Sequence, residues 1–275
     1  MKRLGSKLPK KIIFLVGAFL SISYAIPFFL VFVNSVKPYD EIVANPLALP
    51  VNFTWENFAK ALEMMGYFQA LTSSLLITVL SVSALVIVSS MLAFYLQRNK
   101  NKFTKATFLI LVASMIVPFQ ALMIPFMALF APYVSINNQA ALIFFYMGFG
   151  VAMSTFLYHG FISNIPMELD EAASIDGASD FTIFWKIIFP MLKPVTATVA
   201  IVNALWIWND YLLPALVLTE DTRTLPLSTY SFYNLYTVEY GYVMAGLLLA
   251  VIPIIAFYLI LQRQFISGIS SGAVK

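Results

Sequence analysis

The sequence predicts an all-α membrane protein of about six transmembrane helices, and three observations carry that prediction. Hydrophobic residues make up 61% of the 275 positions and charged residues only 11%, against roughly 25% charged in soluble domains. Several apolar runs reach the length of about 20 residues that a helix needs to cross the hydrocarbon core. The runs are continuous rather than alternating, which excludes transmembrane β-strands of about 10 residues.

The first span, 12–33, lies in the charge-free interval between Lys11 and Lys37. A cleaved signal would have an apolar region of about 7–15 residues. This one is longer and reads as a retained helix, although Ser23-Tyr24-Ala25 resembles a cleavage site. A polar segment, 34–68, follows, in which Thr54-Trp55-Glu56-Asn57 opens a short helix. The second span, 71–96, ends on Arg98, Lys100, Lys102 and Lys105. No formal charge occurs from Ala106 to Met167, but Pro132 and Ser135-Ile136-Asn137-Asn138-Gln139 divide that interval into spans 106–130 and 140–160. Spans 195–218 and 242–261 complete the six, and the chain reads as one transmembrane domain, 1–275.

Orientation follows from the Lys/Arg bias of short loops. With both termini, the Arg98 loop and the 163–194 loop inside, all but Lys37, Lys60 and Arg223 of the 16 basic residues face the cytoplasm. The net charge of +3 is too small and dispersed for a nucleic-acid partner. The absence of cysteine removes disulfides, thiolate chemistry and Cys-based metal sites.

The loop 163–194 carries helix punctuation. Asn164 and Pro166 mark a start, acids crowd the first turns where the helix dipole favours them, and Gly177 can take the left-handed stop. This predicts about three turns of helix outside the membrane. Leu169, Ala172, Ala173 and Asp176 share one face, with Glu168, Glu171 and Ser174 toward another. A second segment from Ser179-Asp180 presents Phe181, Phe184, Trp185 and Ile188 as a stripe with Lys186 beside it, until Pro190 and Pro194 interrupt. It is expected to lie along the membrane interface and lead into the fifth span. By itself, such a loop could be a plain connector.

Among the six spans only the fifth holds a formally charged residue, Asp210. Intramembrane ionisable groups usually serve function. Asp210 shares an i, i+3, i+7 face with Asn203 and Trp206, with Asn209 and Tyr211 nearby, a set that suits sugar hydroxyls and pyranose rings. The plainer reading places Trp206, Trp208 and Tyr211 in the interfacial aromatic belt, with Asp210 answering backbone freed by Pro214. His159, the only histidine, reads as an ordinary interfacial residue, and Gly148 with Ala152 as a helix-packing pair. The tail 262–275 is expected to be flexible after Phe265.

Glu171-Ala172-Ala173, three residues, Gly177, nine residues, Ile187, one residue, then Phe189-Pro190 resembles the EAA loop of ATP-binding-cassette importer permeases. Pro166-Met167-Glu168-Leu169-Asp170-Glu171-Ala172-Ala173-Ser174-Ile175-Asp176-Gly177-Ala178 is similar to the carbohydrate-uptake, maltose-system branch. So are Asn34-Ser35-Val36-Lys37-Pro38 with Glu41-Ile42, the pair Ile116-Val117-Pro118 and Ile124-Pro125, Trp208-Asn209-Asp210-Tyr211-Leu212-Leu213-Pro214, Thr224-Leu225-Pro226, and the ending Gly268-Ile269-Ser270-Ser271-Gly272-Ala273-Val274-Lys275. Phe189 in place of the usual Leu, and Ser270-Ser271 in place of a commoner Thr-Ala, are small departures.

The resemblance implies a type I importer permease in the cytoplasmic membrane of a bacterium or archaeon. Its implied partners are a second permease in a heterodimer, two cytoplasmic ATPase subunits and an extracytoplasmic solute-binding protein. The chain itself would bind no cofactor, ATP and Mg residing on the ATPases. Consistently, none of its 11 glycines fits the phosphate-binding G-x-x-x-x-G-K-[ST] pattern. The implied coupling helix is 168–177. A secondary transporter, the rival class, would be expected to show inverted repeats and embedded charges for ion coupling. The sequence shows neither.

Overall fold

The computed structural model describes residues 10–133, 138–232 and 239–273. Lys2, Arg3, Lys7, the cluster Ser135-Ile136-Asn137 and the terminal Val274-Lys275 lie outside them. Among the described residues the regular structure is helical, with no strand: α1 (Lys10–Ser35), α2 (Tyr39–Ala44), α3 (Glu56–Met64), α4 (Tyr67–Arg98), α5 (Lys102–Ser114), α6 (Phe119–Phe130), α7 (Gln139–Ile162), α8 (Glu168–Ile175), α9 (Asp180–Met191), α10 (Lys193–Asn209), α11 (Leu212–Val217), α12 (Leu225–Ser228) and α13 (Tyr240–Ala273).

Four helices are long and apolar enough to cross a membrane unbroken: α1, α4, α7 and the Tyr240–Leu259 part of α13. The other two expected spans are not continuous. The third divides into α5 and α6, which meet at 106°. Proline disfavours helical backbone in the residue before it, and Pro118 itself sits extended at φ −70°, ψ 141° as the residue that opens α6. The expected fifth span stops at Asn209, and α10 meets α9 at 78°. Pro214 lacks the N–H that would bond the Asp210 carbonyl, and its ring would clash with that carbonyl. The chain therefore opens at Asp210, ψ 131°, before α11 begins. The tail expected to loosen after Phe265 instead continues α13 to Ala273.

The chain divides into two compact units. In the first, residues 1–67 and 229–252, the segment leaving α1 is pinned by amide side chains. Asn34 Nδ2 donates to the carbonyls of Leu30 (2.8 Å) and Pro46 (3.0 Å). Asn57, on the short helix that Thr54-Trp55-Glu56 was expected to open, donates to Ser35 O (2.9 Å) and Lys37 O (2.8 Å). The buried Lys37 gives its ammonium to Asn45 O at 3.2 Å. Gly241 lets α13 approach this amide, since a Cβ there would sit 2.7 Å from the Asn57 side chain.

The second unit, residues 68–228 and 253–275, packs α4, α7, α10 and the loop helices around two apolar clusters. One gathers Ile77, Leu85, Leu142, Tyr146, Ile207 and Leu213. The other gathers Tyr158, Ile162, Ile165, Phe184, Ile188 and Leu192 beneath the loop helices. Inside a bilayer, where lipid is as apolar as leucine, close approach of small residues drives helix association. The small residue that matters is Gly150 rather than Gly148. A Cβ on Gly150 would lie 2.7 Å from Leu85, whereas one on Gly148 would meet nothing within 4 Å. His159 stacks on Phe108, ring centroids 4.0 Å apart.

Candidate functional site

The loop helix forms where the punctuation placed it but runs about two turns, not three. α8 begins at Glu168, ends at Ile175, and has Glu168, Asp170 and Glu171 in its first turn. Asp176 closes it, and Gly177 turns the chain at φ +83°. There the Ala178 amide returns to Ala173 O at 3.0 Å, and Gly177 N to Ser174 O at 3.0 Å. These bonds satisfy the end carbonyls of the helix in the manner of a left-handed glycine stop.

The helix has a clear inside and outside. Asp170 is buried and Ala173 half-buried, whereas Glu168, Leu169, Glu171, Ala172 and Asp176 are exposed. The expected face of Leu169, Ala172 and Asp176 therefore points outward, while Ala173 turns toward the protein. Ile175 stands 87% exposed and extends the apolar part of the outward face. The pattern of i, i+3 spacings did not single it out.

What fixes the inward face is Arg98, at the end of α4. Its Nε donates to Asp170 Oδ2, and both of its terminal nitrogens lie 3.3 Å from Ile165 O. The guanidinium also lies over the Phe94 ring, 5.9 Å from its centroid. Sequence spacing could not find this pair, because its members are separated by 72 positions. Charge bias had already assigned Arg98 to the basic loop, without a partner. A cavity of about 610 Å³ opens beside the pair, walled by Met91, Phe94, Tyr95, Ile175 and Phe184 among others.

The stripe of α9 is largely core rather than membrane interface. Ile183, Phe184 and Ile188 are buried in the cluster under α8, Trp185 packs against it, and Phe181 alone is mostly exposed. Pro190 does not end the helix. The turn ahead of it widens to a π-turn over Phe184–Ile188, with Phe189 N bonding Phe184 O, so the carbonyl facing the proline ring is displaced.

In the broken fifth span Asn203, Trp206 and Asp210 line one cavity of about 430 Å³, together with Ser114, Gln120 and Gly150. Asn209 and Tyr211 do not line it. Asn203 is buried and donates to Ser154 Oγ (2.9 Å) and Val199 O (2.8 Å). Asp210 accepts from Tyr146 Oη at 2.9 Å and from Leu212 N at 3.0 Å, so its carboxylate caps the turn into α11. Tyr146 meets the half-exposed Trp206 edge-on at 5.5 Å. Trp208 is buried in protein, which removes it from an aromatic belt. Ser114 and Gln120 reach the cavity only because α5 and α6 are bent; a continuous third span would not suggest them.

Residues 86–271 match the family described as binding-protein-dependent transport system inner membrane component. The chain is 41% identical over 267 residues to a probable starch degradation products transport system permease protein, AmyC, of Thermoanaerobacterium thermosulfurigenes, covering 97% of each. It is 37% identical to the multiple sugar-binding transport system permease protein MsmG of Streptococcus mutans, over 97% of this chain and 96% of that one. With the melibiose/raffinose/stachyose import permease protein MelC of Bacillus subtilis it shares 35% identity over 96% of each. In fold it matches a chain from the crystal structure of a bacterial transporter that imports the acidic polysaccharide alginate, with TM-score 0.81, 20% identity, and coverage of 96% of this chain and 100% of that one. With its apolar spans, its loop helix and these matches, the chain belongs to the inner membrane components of binding-protein-dependent transport systems, the permease subunits of ATP-binding-cassette importers.

Proposed function

We propose that this permease forms, with a second permease subunit, the pathway for a sugar or oligosaccharide delivered by a solute-binding protein, and that α8 and Gly177 are its coupling helix. The observation that supports the coupling role most directly is the outward face of α8. Leu169, Ala172 and Ile175 give it apolar and small contacts, and Glu168, Glu171 and Asp176 rim them with acid. A face of that kind fits a groove on one of two cytoplasmic ATPase subunits. Closure of the ATPase pair on ATP would displace the helix and switch the permease between inward-open and outward-open states. The energy enters as a differential contact between those states.

The sugar reading rests on the relatives, which are named as permeases of a probable starch degradation products transport system, a melibiose/raffinose/stachyose import system and a multiple sugar-binding transport system. The cavity of Asn203, Trp206 and Asp210 supports a solute-lining role for these three, since it combines amide, carboxylate and aromatic groups in one space. The test is reconstitution in proteoliposomes with the partner permease, ATPase and binding protein. One class of sugar is expected to stimulate ATP hydrolysis and to accumulate inside; stimulation only by amino acids or inorganic ions would overturn the sugar assignment. Asp210→Asn, with Tyr146 left in place, is expected to lower transport; full activity would reduce Asp210 to a helix cap.

A further inference from the structure

The sequence and the matches give Arg98 no role beyond its positive charge. Its side chain sits at a junction of the chain. One guanidinium joins three segments: the end of α4, which bears it; the exit of α7, through Ile165 O; and the first turn of α8, through Asp170. The side chains of Arg98 and Asp170 are only 12% and 13% exposed. Phe94, one turn back on α4, supports the guanidinium plane. Asp170 Oδ1 is buried and has no hydrogen-bond partner among the described residues, so among them the carboxylate depends on this one arginine.

We propose that Arg98 is a positioning residue for coupling: it makes α4, the end of α7 and α8 move as one piece, so that displacement of α8 reaches the membrane spans. This rests on the coupling-helix reading of α8. Arginine is suited to it because its planar fork holds a carboxylate and a carbonyl at once, whereas lysine carries a single point of charge on a flexible stem. A loose joint would let α8 follow the ATPase while the spans lag, so ATP would be hydrolysed without transport.

The test uses the complete transporter in proteoliposomes and reads solute moved per ATP hydrolysed. Arg98→Gln is expected to copurify with the ATPase and to lower that ratio about tenfold, within the usual range of site-to-site coupling. Arg98→Lys should fall between, and the exchanged pair Arg98→Asp with Asp170→Arg should recover much of the loss. A normal ratio in Arg98→Gln or Arg98→Lys overturns the proposal. So does an exchanged pair no better than Arg98→Gln, or loss of assembly in Arg98→Lys, which would make the arginine a folding residue. Glu171→Lys on the outward face separates the two ideas. If it breaks ATPase binding while Arg98→Gln leaves the ratio intact, only the positioning role fails; if neither variant matters, the coupling-helix reading fails with it.

Discussion

Gly177 shows how much one residue can decide. At φ +83° it holds a backbone that L-residues adopt at a cost of about 1–2 kcal/mol. A Cβ at this position would meet nothing within 4 Å beyond its chain neighbours, so any penalty comes from the local backbone and not from a tertiary clash. Gly177→Asn, which tolerates the left-handed region, should keep transport near normal, while Gly177→Val should uncouple transport from ATP hydrolysis with insertion intact. Equal transport in the two variants would refute this account. Glu41 is a second case. It accepts bonds from Val51 N (3.0 Å), Asn52 N (3.0 Å) and Asn52 Nδ2 (2.7 Å). The Val51 amide foremost, with help from Asn52 and Lys37, holds its carboxyl below the ordinary carboxylate range. The folded form is therefore the more acidic one. Its contribution is complete above the unfolded value of about 4.3 and is lost as pH falls through the lower folded value. Protection of the Val51 and Asn52 amides from hydrogen exchange should drop in that window, and Glu41→Gln should abolish the pH dependence. Protection that stays flat below the ordinary carboxylate value would contradict it.

At the scale of elements, the packing of α7 rests on Gly150, which faces Leu85 of α4 and Asn203 of α10. Although Gly150 also borders the cavity, one added methyl there would crowd the buried Leu85 side chain, and overpacking of this kind typically costs about 1–3 kcal/mol. Gly150→Ala should lower the thermal stability of the purified complex and Gly148→Ala should not; the reverse order would mean that α7 is rotated about its axis. The two broken spans belong to the same scale. Their prolines were visible in the sequence, and the apolar runs around them were read as straight. Hydropathy registers length and composition, and a proline in an apolar run changes neither. Whether Pro125 and Pro253 stay inside a helix while Pro118 opens one depends on what the freed carbonyl can find nearby.

For the whole molecule, α1 is the outlier. No residue of its membrane-spanning window is fully buried, and Phe14, Phe19, Ile22, Tyr24 and Phe28 are each more than half exposed. Such a surface is stable only against lipid or another apolar protein, which fits a subunit of a larger membrane assembly. A charge at the helix centre costs about 2.5–3.5 kcal/mol on insertion scales. Phe19→Arg should therefore reduce the membrane-inserted fraction, measured by resistance to alkaline extraction, more than Phe53→Arg in the exposed segment after α2. Equal extraction of the two would show that α1 does not sit in the bilayer as a free span.

By itself the sequence determined the helical membrane class, the number and order of the apolar runs and the loop helix with its glycine stop, because each depends on neighbours a few positions apart. Family spacing added the coupling role of that helix to the expectation. Only the tertiary structure decided that Ala173 faces inward and Ile175 outward, that Arg98 holds Asp170, that Trp208 is core, and that Ser114 and Gln120 join Asn203 and Asp210 around one cavity. Those outcomes depend on side chains tens of positions apart meeting across packed helices. No local period or propensity carries that information.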